Sequence, residues 1–363
     1  MVDPVVVIAE AGVNHNGRPD LALQLVDAAA DAGADMIKFQ TFKAEKLVTR
    51  GARKADYQMR NTGSAESQLA MLRELELDDQ AHRDLMARCE VRGIRFLSTP
   101  FDDESTDFLI GDLGLRTLKV GSGDLTNGPH LLRLARSGVD VILSTGMATM
   151  AEVAEALGVL AYGYLGGQEP GSAGFADALS DSAGQKMLSD RVFLLHCTSN
   201  YPAPCDEINL AVMDTYRDEY PCRVGLSDHS DGISVPIAAV GRGARMIEKH
   251  LTLDRSLPGP DHLASIEPTS FSQMVRSIRE IEQAIGSGSK APTSSELETR
   301  SIARKSLVAS RRIEVGEIFD FDNVVAKRPG SGLAPNFLWR LVGCRAKHAY
   351  DSDEMIGDDE LAR

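Results

Sequence analysis

The sequence predicts an α/β fold, a (β/α)8 TIM barrel, followed by a small C-terminal unit of different rhythm. Three observations carry that reading. Short apolar, β-branched runs recur eight times in the first two thirds of the chain. Amphipathic helical stretches separate them. The alternation stops near Gly286, where linker composition begins. Continuous apolar runs suit strands buried on both faces, as in a parallel sheet. Eight βα units in about 250 residues match the size of such a barrel. A doubly wound open sheet is the alternative. No GxGxxG or GxxxxGK[ST] follows an early strand, which weakens the nucleotide-binding form of that alternative.

In chain order, the expected strands are residues 5–12, 36–42, 94–101, 118–124, 141–147, 192–199, 224–230 and 246–251. Helical patterns cover 19–32, 81–92, 130–137, 149–162 and 236–243. In the first, apolar residues fall at spacings of three and four, with Pro19 at the start and Gly33 as a stop signal. Residues 43–93 hold an extra segment after the second strand. Residues 163–190 are Gly/Ser/Ala-rich and read as a mobile surface loop or cap. The expected organisation is a barrel at 1–285, a linker at 286–300 (GSGSKAPTSS opens it) and a C-terminal unit at 301–363. About 60 residues is near the lower limit for an independent core, so that unit is expected to dock on a barrel, its own or a neighbour's.

Composition narrows the function. The net charge of −14 argues against a nucleic-acid binder, which would show a basic balance or stripe. No apolar run reaches the length of a membrane span, and the N-terminus lacks a basic region before its apolar run, so no secretory signal is expected. The five cysteines are odd in number and contain no CxxC pair, which disfavours a disulfide framework or structural zinc. The expectation is a cytoplasmic protein. An anionic substrate would then need local positive charge or a metal.

The expected strands end in polar residues, where a parallel barrel builds its active site. In the second strand Lys38 and Gln40 share one face and point to the mouth, whereas Ile37 and Phe39 share the other. Lys119 interrupts an apolar run; a lone buried lysine is costly and needs an anionic partner, either a structural carboxylate or a ligand. The latter is favoured because Lys38, Ser122, Ser144, Ser199 and Ser227 reach the same rim. His229 and His250 end neighbouring strands and could share a divalent cation at an open site of the Mn²⁺ or Mg²⁺ type, or be two separately bonded histidines. His196 reads as a satisfied interior histidine. Glu10 and Asp124 are the carboxylates best placed for acid–base work. Asp261 and His262 either reach the mouth or shape a loop. Met147 and Met246 read as core, and Cys197 and Trp339 carry no spacing signal.

The segments IAEAGVNHNG, IKFQTF, FLSTPFD, KVGSGD, LSTGM, LLHCTSNYP, LSDHS, IEKHLT and PGPDH, with KRPGSG near the C-terminus, together resemble the sialic acid synthase family. The resemblance runs in one order over nearly the whole chain. It implies a barrel joined to an antifreeze-like SAF domain of β-clip type, in domain-swapped homodimers where each C-terminal domain caps the partner's barrel. It implies condensation of phosphoenolpyruvate with an N-acetylated amino sugar to a nine-carbon 2-keto sugar acid and phosphate, with Mn²⁺ or Mg²⁺. By motif, His229 and His250 fall at metal-ligand positions. Lys38, Thr99, Lys119, Ser122, Ser144, Ser199 and Ser227 fall at positions around phosphoenolpyruvate. Glu10, Gln40, Asp124, Tyr201 and Asp261 face the sugar, and Arg328 falls where the partner's SAF domain reaches the N-acyl group. Some bacterial members carry Glu at the position of Asp124 and Asn at that of Ser199. The stretch at 54–72 with GSGDLTN looks closer to bacterial legionaminic acid synthases, which use a 2,4-diacetamido-trideoxy sugar; other members use N-acetylmannosamine. Two other classes stay open: a barrel aldolase with Lys38 or Lys119 as Schiff-base nucleophile, and a non-catalytic carbohydrate-binding protein.

Overall fold

A computed structural model describes residues 4–55, 58, 59, 61 and 67–362. The chain divides into two compact units, Met1–Gly286 and Ser287–Arg363.

In the first unit eight parallel strands form a nearly closed barrel. They are β1 (Val6–Gly12), β2 (Met36–Thr41), β3 (Arg95–Pro100), β4 (Thr117–Val120), β5 (Asp140–Ser144), β6 (Val192–Cys197), β7 (Arg223–Asp228) and β8 (Met246–His250). Their order is β3-β2-β1-β8-β7-β6-β5-β4, and β3 and β4 lie side by side at the seam. The two faces of each strand go to two different cores. Outward residues such as Ile37 and Phe39 pack with the helices, including Leu25 and Ala29 of the helix Pro19–Asp31. Inward residues Ile8, Met36, Leu97, Ile142, Leu195 and Met246 form an apolar plug inside the barrel. Gly225 is inward too; a Cβ there would lie 2.7 Å from Leu195 Cδ2, so its absence lets Leu195 fill that space.

Three regions differ from the sequence reading. β4 stops at Val120, and Ser122–Asp124 form a 3₁₀ turn. Glycine, serine and aspartate favour a turn over a ladder, so Asp124 leaves the strand. Residues 163–190 are not a structureless loop but mostly two helices, Ser172–Ser180 and Ser182–Arg191, packed on an extended helix Met150–Tyr164. The residues 286–300 expected as a linker contain the start of a helix, Ser294–Ala303, opened by a Thr293/Glu296 capping box.

The extra segment after β2 supplies short helices Ala44–Leu47 and Gln68–Leu75. They share a small core with Val13 and Phe42. Gly17, at φ +68°, permits this: a Cβ there would sit 1.9 Å from the Glu74 carbonyl. Within the 54–72 stretch, residues 56, 57, 60 and 62–66 lie outside the described residues. The second unit pairs β9 (Ser306–Ala309) antiparallel with β10 (Val324–Lys327) around a core that includes Leu307, Phe319, Leu341 and Ile356. Among the described residues no helix is long and apolar enough to cross a membrane.

Candidate active site

Two residues beyond each plug position, the inward face becomes polar. Ile8 leads to Glu10, Met36 to Lys38, Leu97 to Thr99, Ile142 to Ser144, Leu195 to Cys197 and Met246 to Glu248. The period of two thus stacks a functional layer on an apolar floor at the C-terminal end of the barrel. These residues line a cavity of about 400 Å³ that also takes in Gln40, Lys119, Ser122, Ser199, Tyr201, Ser227, His229, His250 and Asp261. Met71, Leu72 and Leu75 of the extra segment form one wall. Two expected residues are not part of it. Asp124 is outside the lining and accepts a hydrogen bond from Asn127 Nδ2 at 3.2 Å. Arg328 lies in the second unit and is exposed.

Both lysines are buried beside carboxylates. Lys38 Nζ lies 2.6 Å from Glu10 Oε2 and 3.9 Å from Glu248 Oε1, and donates to Thr99 Oγ1 at 3.3 Å. Lys119 Nζ lies 3.5 Å from Glu248 Oε1, which also accepts from Ser227 Oγ at 3.0 Å. The alternatives weighed for Lys119 therefore meet: a structural carboxylate is present, in the same cavity as the hydroxyls. Burial alone would lower the Lys38 pKa, but Glu10 and Glu248 outweigh it and hold it above the ordinary lysine value. Burial dominates at Lys119 and lowers it, with Glu248 partly opposing. Burial pushes Glu10 up to about 7 despite Lys38, so it can give or take a proton near neutrality. At Glu248 the two lysines overcome burial and hold the carboxyl ionised.

Glu248 was the main residue not singled out from sequence. Strand parity carried the signal, because His250 inward forces Glu248 inward and Lys249 outward. Lys249 indeed pairs with Asp228 at 2.6 Å on the other face.

The imidazoles of His229 and His250 lie with centroids 5.4 Å apart, and the Tyr201 ring is 4.1 Å from that of His229. His229 Nδ1 donates to the Thr198 carbonyl at 2.8 Å, which leaves Nε2 as the free donor atom. Burial, then His229 and Lys38, hold His250 well below the usual histidine range, so it is neutral. Its Nδ1 is buried without a hydrogen-bond partner, as are Asp261 Oδ1 and Glu248 Oε2. Burial raises Asp261 to about 6. Burial opposes protonation of His229, but Cys197, Thr198 and Glu248 outweigh it and hold its pKa above the usual histidine value. Beside it, the neutral His250 and the orphaned carboxylate oxygens complete a donor set that fits a hard or borderline divalent cation.

His196 Nε2 donates to the Ile208 carbonyl, an interior histidine as read. His262 bonds Thr252 Oγ1 and Asn16 Oδ1 and shapes its loop. Met246 is in the plug, but Met147 is not core: it is 74% exposed, at φ +66°, on the cavity rim. Cys197, silent in sequence, has Sγ 3.7 Å from His229 Nδ1. Burial opposes its ionisation, yet His229 and Ser122 draw the thiol down to about 7.

Comparison with known proteins bears on the whole chain. Residues 25–290 match the model of the NeuB family, and residues 304–362 match that of the SAF domain. The chain is similar to the N,N'-diacetyllegionaminic acid synthase of Campylobacter jejuni, 44% identical over 96% of this chain and 98% of that one. It is similar to the enzyme of the same name from Legionella pneumophila, 44% identical over 93% of this chain and 89% of that one. Among solved structures, the N-acetylneuraminic acid (sialic acid) synthetase of Leptospira borgpetersenii, in complex with citrate, superposes with a TM-score of 0.67 at 32% identity, covering 82% of this chain and 90% of that one.

Proposed function

The chain belongs to the NeuB family, and from that premise we propose that it condenses phosphoenolpyruvate with an N-acetylated amino sugar, giving a nine-carbon 2-keto sugar acid and phosphate. One observation carries the reading to this chain's own residues: two lysines, two imidazoles and five serine or threonine hydroxyls line a single cavity over the barrel plug. Lys38 and Lys119, with Thr99, Ser122, Ser144, Ser199 and Ser227, hold the phosphate and carboxylate of phosphoenolpyruvate. Gln40, Tyr201 and Asp261 orient the sugar. His229 and His250 hold a divalent cation, Mn²⁺ or Mg²⁺, which when bound supplies Lewis-acid polarisation of the sugar aldehyde.

The chemistry needs a bond from C3 of phosphoenolpyruvate to the aldehyde carbon, addition of water at C2 and departure of phosphate. Glu10 is the residue to move the protons, since its carboxyl titrates at about 7 and it faces the cavity. Asp124, outside the lining, is left without that role. Orientation by the lysines and the concentrated positive charge lower the barrier. An imine-forming aldolase is disfavoured, because both lysines are ion-paired. The five cysteines are free, which suits a reducing cytoplasm.

The substrate is proposed to be 2,4-diacetamido-2,4,6-trideoxymannose, on the strength of the relatives' names. Phosphate release from phosphoenolpyruvate, measured with that sugar, N-acetylmannosamine and its 6-phosphate, tests this. Fastest release with the diacetamido sugar is expected. Preference for N-acetylmannosamine overturns the sugar assignment, and no release with any of the three overturns the reaction. His229→Ala is expected to lose metal-dependent turnover with the fold retained; full activity of the wild type in excess chelator would sink the metal assignment.

A further inference from the structure

The barrel has a second cavity at its other end, about 280 Å³ in volume, built from the residues that open the strands. Arg95 opens β3 and Arg223 opens β7; Arg191 and Arg245 immediately precede β6 and β8. All four line the cavity, and among the described residues the one lining carboxylate is Asp140. We propose that this basal cavity binds a phosphate-bearing small molecule, at a site separate from the mouth.

Strand parity places Arg95, Arg223 and Asp140 on the inward face of the barrel. Arg95 lies two residues before the plug residue Leu97, and Asp140 two before Ile142. The same apolar plug that floors the mouth therefore floors this cavity from below, through Met36, Ile142 and Met246. Setting aside Arg245, which is already engaged, Arg95, Arg191 and Arg223 against Asp140 leave a surplus of positive charge among the described residues, in a chain whose net charge is −14. Like charges held in one recess repel, and the low-dielectric wall strengthens that repulsion. A monocarboxylate would offset only part of it. A phosphate dianion offsets more, and its oxygens match the guanidinium fork.

The arginines also differ in what already holds them. Arg191 Nη1 donates to the Gly138 carbonyl at 2.8 Å and to Asp140 Oδ1 at 3.3 Å. Arg223 donates to the Asp190 carbonyl at 3.1 Å and sits over the Phe193 ring, 4.0 Å from its centroid. Both are pre-positioned, with donors to spare. Arg95 makes no side-chain hydrogen bond or ion pair among the described residues, so it is the donor with no structural duty.

That asymmetry supplies the test. The full-length protein is titrated calorimetrically with inorganic phosphate, AMP and adenosine, as wild type and as Arg95→Glu and Arg95→Ala. Neither variant touches the mouth, so binding at the mouth is common to all three proteins. The expected result is a binding component for the phosphate-bearing probes that weakens at least about tenfold in Arg95→Glu, with adenosine silent. Turnover without added probe should equal wild type in both variants. AMP binding about tenfold tighter than phosphate would identify an organic phosphate seated on the apolar floor; equal affinity would identify the free anion. Identical titrations of wild type and Arg95→Glu, with the same melting temperature, would overturn the proposal.

Discussion

Glu248 sits between two buried lysines, so its charge is structural before it is anything else. Glu248→Gln keeps a hydrogen-bond acceptor for Ser227 but removes the carboxylate that both Lys38 and Lys119 face. Removing one partner of a buried ion pair typically costs about 3–5 kcal/mol, and a loss of that size is expected in the urea midpoint. A loss under about 1 kcal/mol would mean that water reaches the lysines. His15 gives a second test at this scale. It is fully buried, its Nδ1 accepts from the Gly17 N–H, and burial, then His82, pull it down to about 4. The unfolded imidazole titrates near 6.5, so between about pH 6.5 and 4 the unfolded chain binds the extra proton. Stability should therefore fall as pH falls through that window, by up to about 3 kcal/mol from this one residue. His15→Gln should show a shallower slope of urea midpoint against pH; an unchanged slope would refute the assignment. Residues of this kind were unevenly legible. Lys38 and Lys119 stand out because a cation inside an apolar run is conspicuous. Cys197 does not, because its lowered pKa depends on which imidazole the fold sets beside it.

The strands were the most legible elements, since a strand buried on both faces must be apolar throughout. The helices at 172–191 were hidden by the same logic in reverse. Their glycine, serine and alanine are what linkers use, but here small residues allow close packing. A Cβ on Gly158 would lie 2.6 Å from the Phe175 carbonyl, and one on Gly184 only 1.9 Å from the Ala178 carbonyl. Tyr162 and Phe175 then meet edge to face at 5.3 Å. Gly184→Ala should consequently lower stability by about 1–3 kcal/mol, the usual cost of overpacking, while turnover per folded enzyme stays at the wild-type value. Stability equal to wild type would show that the two helices do not pack this closely. The helix Ser294–Ala303 was readable in principle: Thr293 and Glu296 have the spacing of a capping box, but GSGSKAP just before them dominates the composition. At β4 the legible part was the apolar run, and the illegible part its end, because Gly121-Ser122-Gly123-Asp124 turns as readily as it extends.

At the scale of the whole molecule the −14 charge and the anionic substrate are reconciled by stratification. The acidic balance belongs to the chain as a whole, while buried lysines and imidazoles occupy the barrel interior and the basal arginines line its opposite rim. Arg328 raises the remaining question, because it belongs to the second unit and yet the family resemblance places it at the sugar of a partner's barrel. Two disabled variants decide it. His229→Ala spoils a barrel but leaves its Arg328 intact; Arg328→Ala spoils the C-terminal unit but leaves its barrel intact. Each alone should be nearly inactive, the second through a raised KM for the sugar with that for phosphoenolpyruvate little changed. When they are unfolded together and refolded as a mixture, random pairing in the homodimer that the family resemblance implies would make about half the dimers mixed. In a mixed dimer of swapped arrangement, the intact barrel meets the intact Arg328 of the other chain, so one of its two sites works. Activity should then recover to about a quarter of wild type. If each C-terminal unit serves its own barrel, no combination restores a complete site, and the mixture stays as inactive as its parts.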